Sequence, residues 1–112
     1  MSYDVSLHAT LDTGSAEPMD VCVADIGNYT SNVSRMWTAA LGHPLADLHD
    51  QTAGDHTDRL KQAVIKLEAS PGYFTELEPD NGWGDYGGAL DYLRKLRDAC
   101  ILHPKATIRV SH

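Results

Sequence analysis

The chain has 112 residues, 42% hydrophobic and 22% charged, which fits one α+β domain over 1–112 with a single core. Its 16 acidic against 9 basic residues give a net charge of −7. The basic residues are scattered apart from Arg94, Lys95 and Arg97, which argues against binding to a nucleic-acid duplex. No stretch approaches the ~18 apolar residues of a membrane span, and Met1 to Ala9 carries Asp4 and no signal-like apolar run. The expectation is a cytoplasmic protein with no membrane association.

Tyr3, Val5, Leu7 and Ala9 alternate with Asp4, Ser6 and His8, the pattern of a half-buried strand. Thr13-Gly14-Ser15 offers a turn. Met19, Val21 and Val23 then alternate with Asp20, Cys22 and Ala24 toward Ile26-Gly27, so the pair reads as a hairpin. Val33, Met36, Trp37, Ala40 and Leu41 switch to helical spacing, with Asn32 at the N-cap, Gly42 at C′ and His43-Pro44 beyond. Leu60, Ala63, Val64 and Leu67 make a second helical face, with Asp55 or Thr57 as cap and Ser70-Pro71-Gly72 as stop. The span from Glu76 to Gly88 reads as a loop.

A third helix begins near Asp85 and buries Leu90, Leu93, Leu96, Cys100 and Ile101, ending at His103-Pro104. Ala106, Ile108 and Val110 then alternate as a last strand. The order β-β-α-α-α-β predicts an α+β fold, a mainly antiparallel three-stranded sheet with helices packed on one face.

Two isolated cysteines, Cys22 and Cys100, each among apolar neighbours, read as buried thiols. The sequons at Asn28-Tyr29-Thr30 and Asn32-Val33-Ser34 are idle in a cytosolic chain. Six histidines prompt a check for a metal site. His43, His49 and His56 stand near Asp50 and Asp55 without HExxH spacing or paired cysteines, so no metal and no cofactor is expected. His103 lies at a helix end and His112 at the terminus. No G-x-S-x-G, Walker A or G-x-G-x-x-G element is present, and no catalytic residue is assigned.

Two segments open helices and carry ligand-like chemistry. In Asn28-Tyr29-Thr30-Ser31-Asn32, the side chains of Asn28, Thr30 and Asn32 stand where free N–H groups and a helix dipole attract anions. Arg35 and Trp37 follow on the helix. In Asn81-Gly82-Trp83-Gly84-Asp85-Tyr86, Trp83 and Tyr86 could stack on a planar ligand, with Asn81 and Asp85 as polar groups. Capping, turn formation and an aromatic plug at the core edge account for the same residues without a ligand.

The runs N-Y-T-S-N (28–32), S-P-G-Y-F (70–74), N-G-W-G-D-Y (81–86) and H-P-K-A-T-I-R-V-S (103–111) resemble a family of small proteins encoded by bacteriophages and prophages. Tyr29 stands where that family has Ile, and Glu78-Pro79-Asp80 where it has N-P-P. The resemblance implies a phage setting rather than a reaction. By analogy with small phage proteins that sequester immune signals, the expected function is non-enzymatic binding of a nucleotide-like small molecule. An acidic inhibitor of a host protein and a small His/Asp-dependent hydrolase are the alternatives. A homo-oligomer would deepen the shallow pocket expected of so small a domain.

Overall fold

Tyr3, Val5 and Leu7 form the inner face of β1 (Ser2–Leu11) in the computed structural model, which describes residues 2–79, 82 and 84–112. All three are buried while Asp4 between them is exposed, as the period of two requires. β1 is the central strand of an antiparallel sheet of order β2-β1-β3, with β2 (Met19–Thr30) and β3 (Thr107–Ser111) as its neighbours. Residues 12–18 connect β1 to β2. Gly14 takes φ +81° there, and its N–H donates to Asp12 Oδ1 at 2.9 Å.

Two register shifts bend β2. Val5 pairs with Gly27 and Ser6 with Asp25, leaving Ile26 as an extra residue; Leu7 pairs with Ala24 and His8 with Cys22, leaving Val23. The hairpin also reaches farther than its core. β3 pairs only with Asp4 to His8, and no residue from Ala9 to Val21 is buried. Met19, expected to face inward, is therefore 54% exposed.

α1 (Ser34–Leu41) buries Met36, Trp37, Ala40 and Leu41, and Gly42 closes it at φ +85° with its N–H on Thr38 O at 2.8 Å. Asn32 does not cap it. A 3-10 turn over Ser31–Val33 precedes α1, and Thr30 Oγ1 accepts the Asn32 N–H at 3.3 Å instead. After Pro44, a second 3-10 turn, Leu45–Leu48, buries both of its leucines.

Residues 50–53 then run along the free edge of β3. Asp50 N–H donates to Ile108 O, Ile108 N–H to Gln51 O, and Ala53 N–H to Ala106 O, each at 2.8 Å. An otherwise open edge is thereby covered. A 3-10 turn at Ala53–His56 leads into α2 (Thr57–Ala69), which buries Leu60, Ala63, Val64 and Leu67. Neither Asp55 nor Thr57 caps that helix; Thr57 Oγ1 donates back to Ala53 O at 3.2 Å.

Ser70-Pro71-Gly72 breaks the helix but also restarts one. Proline is compatible with a first helical turn, so α3 (Pro71–Thr75) begins on it and buries Phe74. α4 (Tyr86–Leu102) buries Ala89, Leu90, Tyr92, Leu93, Leu96 and Cys100, while Ile101 turns outward at 48% exposure. The helices and the inner sheet face share one apolar cluster with Trp37 at 0% exposure within it. Its indole meets Tyr3 edge-on at 5.5 Å and lies 5.3 Å from Tyr92 between ring centroids. Among the described residues no helix is long and apolar enough to cross a membrane.

Candidate functional site

The two ligand-like segments do meet, at the end of β2 and the start of α4, but largely by using up one another's groups. Asp85 caps α4, its Oδ1 accepting the Gly88 N–H at 2.7 Å, and its own N–H donates to the Tyr29 hydroxyl at 3.2 Å. A Cβ at Gly84 would fall 2.5 Å from Thr30 Cγ2 and 2.8 Å from Val33 Cγ1, so the Gly84 backbone packs directly against these two side chains. Asn28 Nδ2 donates to Ser2 Oγ at 2.8 Å and Arg35 Nη2 to Leu77 O at 3.4 Å; both residues are exposed, as is Asn32.

Trp37 is the clearest correction. With no exposed surface and its Nε1–H on Ala89 O at 3.1 Å, it ties α1 to α4 and cannot touch a bound molecule. Tyr86 is half-buried and similarly committed. Its N–H donates to Glu78 Oε1 at 2.9 Å and its hydroxyl donates to Leu67 O. Asn81 and Trp83 lie outside the described residues. Of the predicted contacts, Asn28, Asn32, Arg35 and Asp85 are exposed and Thr30 and Tyr86 half-buried, and one side-chain atom each of Asn28, Arg35 and Asp85 bonds within the fold.

A better-formed concavity lies elsewhere. An open cleft of about 490 Å³ runs between His8, Ala9, Thr10 and Val23 of the hairpin and the turn 103–107 that joins α4 to β3. That turn is clamped in place. Ala106 N–H donates to His103 O at 3.1 Å, Gly54 N–H to Pro104 O at 2.7 Å, and a Cβ at Gly54 would sit 2.8 Å from that same oxygen. Three basic side chains line the cleft (His8, His103 and Lys105), Thr10 and Thr107 add hydroxyls, and no carboxylate is among the lining residues. The last turn of α4 brings the negative end of its dipole to this loop, so any positive potential there comes from the side chains.

His8 is itself held by two partners. Its Nδ1 lies 3.0 Å from Asp20 Oδ2 and its Nε2 lies 2.8 Å from Ser6 Oγ. Neither His8 nor the 103–107 turn carries ligand-like chemistry in the sequence, although residues 103–111 are among the runs that carry the resemblance. His8 reads as the polar position of an alternating strand, and His103-Pro104 as a helix stop.

Compared with protein-family models, with curated proteins and with solved structures, the chain matches none.

The remaining histidines serve local structure. His49 Nδ1 accepts the Val110 N–H at 2.9 Å, His43 Nδ1 donates to Pro44 O at 2.8 Å, and His56 Nε2 lies 3.4 Å from Gln51 Oε1. Burial, then the nearby His43 and Arg59, push the His56 pKa down, against a smaller opposing effect of Asp55. Among the described residues no three of His, Cys, Asp and Glu gather as metal ligands. The cysteines differ from expectation in one respect. Cys100 is buried and its thiol is pushed up to about 11 by desolvation, whereas Cys22, on the outer register opposite His8, is exposed.

Proposed function

We propose that this protein binds a small anionic, nucleotide-like molecule, and that the ligand sits in the cleft between β1 and the 103–107 turn rather than at the helix-opening segments. The observation that carries the reading is the gathering of His8, His103 and Lys105, without a carboxylate among the lining residues, on a chain whose net charge is −7. A protein this acidic repels anions in general, so a concavity that carries the Lys105 ammonium and the His103 imidazole with no lining carboxylate is the place where one can bind. The volume of about 490 Å³ also falls within the ordinary range for small-molecule sites.

In the phage setting that the resemblance implies, such a protein would act by sequestering a host signal, with affinity and slow release as its essential properties. A thermal-shift screen of nucleotides, cyclic nucleotides, NAD-derived compounds and inorganic phosphate tests the reading. A ligand at 100 times its Kd stabilises the folded state by ~2.7 kcal/mol. The shift is expected to fall sharply in Lys105→Ala and His103→Ala and to persist in Asn28→Ala. A shift lost in Trp83→Ala but intact in the cleft variants would return the site to the start of α4.

A further inference from the structure

We infer that Ser6, His8 and Asp20 form a hydrolytic relay joined to the cleft through His8, the member that lines it, with Ser6 as nucleophile, His8 as general base and Asp20 as positioning residue, acting on a carboxylic ester. The inference rests on the cleft being a ligand site and adds chemistry to it.

The arrangement follows from strand geometry. Ser6 and His8 are two residues apart on the central strand and so project from the same outer face. Asp20 pairs in register with Thr10, one same-face position beyond His8, and its carboxylate reaches the ring at 3.0 Å. The nitrogens are used in the order that acyl transfer needs. A carboxylate only accepts, so Nδ1 carries the proton that bonds to Asp20; in the neutral ring Nε2 is then the acceptor, and the Ser6 hydroxyl donates to it across 2.8 Å.

The His8 side chain is 20% exposed, so the central member of the chain is partly withdrawn from water while Asp20 stays 60% exposed. His8 also lines the cleft that holds Lys105 and His103, and Lys105 brings a positive charge to that cleft. None of the three residues contributes to the apolar core.

The step balances without a cofactor. Ser6 Oγ bonds to the ester carbonyl carbon as its proton passes to His8 Nε2. The carbon–alkoxy bond then breaks, and the leaving alcohol takes that proton. Water attacks the acyl-serine, giving its proton to His8; the acid departs and Ser6 recovers its hydrogen.

The test is covalent labelling of the intact chain with an alkyl fluorophosphonate, read by intact mass and peptide mapping, together with turnover of 4-nitrophenyl acetate. One adduct on Ser6 is expected, absent in Ser6→Ala and slowed about 10²–10⁴-fold in His8→Gln. Asp20→Asn should slow labelling with the fold retained by circular dichroism, and Asp20→Glu should recover part of the rate, which a merely structural carboxylate would not produce. Labelling should be unchanged in Cys22→Ala.

No adduct on Ser6 in the folded chain, an adduct mapped to Cys22, or a Ser6 rate indifferent to His8→Gln overturns the relay. If anions stabilise the chain while Ser6 stays unlabelled, the relay falls and the binding reading stands. If Ser6 labels while no anion binds, the cleft still takes a ligand, the ester, and only its anionic, nucleotide-like character falls.

Discussion

Replacing Gly88 with alanine pits local propensity against tertiary packing, and the two predict opposite signs. Gly88 lies in the first turn of α4, where helix propensity alone favours alanine by up to ~1 kcal/mol. A Cβ there would stand 1.9 Å from Tyr29 Oη and 2.6 Å from Tyr29 Cζ, against an ordinary contact of ~3.5 Å. Tyr29 cannot easily retreat. Its ring is stacked on Tyr92 at 6.0 Å between centroids, and its hydroxyl accepts the Asp85 N–H. Overpacking of this kind costs ~1–3 kcal/mol, and a lost hydrogen bond adds ~1 kcal/mol. After the propensity gain the net loss is about 1–3 kcal/mol, a fall in Tm of roughly 5–15 °C for a domain of this size. Thermal melts followed by circular dichroism read it directly. In a Tyr29→Leu background the same substitution should cost markedly less, because the hydroxyl and ring carbon it meets are gone. A Gly88→Ala chain that melts at or above the wild-type temperature would refute the interlock between the end of β2 and the start of α4.

Two further outcomes follow from titratable groups. Native protein treated with a thiol reagent near pH 8 should release one equivalent quickly, from exposed Cys22, and a second only on unfolding, because burial keeps the Cys100 thiol protonated to about pH 11; two fast equivalents would contradict the packing of α4. His56 has a folded-state pKa below its ordinary value of 6.5, so the unfolded chain binds the proton more readily. Stability should therefore be unaffected by this group above pH 6.5 and decline as pH falls through the window below it. His56→Gln should flatten that part of the curve, and an unchanged slope in urea denaturation would count against the cause.

What was legible in the sequence was mostly local. Gly42 at a helix end, Asp85 before a helix and the Leu90, Leu93, Leu96 and Cys100 stripe declare themselves within a few residues, and each holds in the structure. Asn32 reads as the cap of α1, but the chain winds a 3-10 turn before the α-helix and Thr30 caps that turn instead, a choice that leaves no composition signal. Residues 50–53 cover the edge of β3 through backbone bonds, joined by an ion pair from Asp50 to Arg109 at 3.5 Å, so no side-chain period betrays them.

The site was harder for a similar reason. Glycine, asparagine and aromatic residues at 28–32 and 84–88 look alike whether they grip a ligand or each other; Tyr29 and Gly88 meet at a distance only three-dimensional packing reveals. His8, His103 and Lys105 are ordinary polar residues until the antiparallel return of β3 sets them around one hollow. Asp20 reaches His8 through the regular register next to the hairpin turn, where Thr10 pairs with Asp20 and His8 with Cys22, a cross-strand pairing that alternation within one strand does not disclose.

The most direct test of the binding account is a titration of isotopically labelled protein with the best ligand of the thermal-shift screen, following backbone amide resonances. The account predicts saturable shifts concentrated on residues 8–10 and 103–107, abolished in Lys105→Ala. Shifts concentrated on 28–35 and 84–88 with the cleft silent, or no saturable shift with any nucleotide or phosphate, would contradict it.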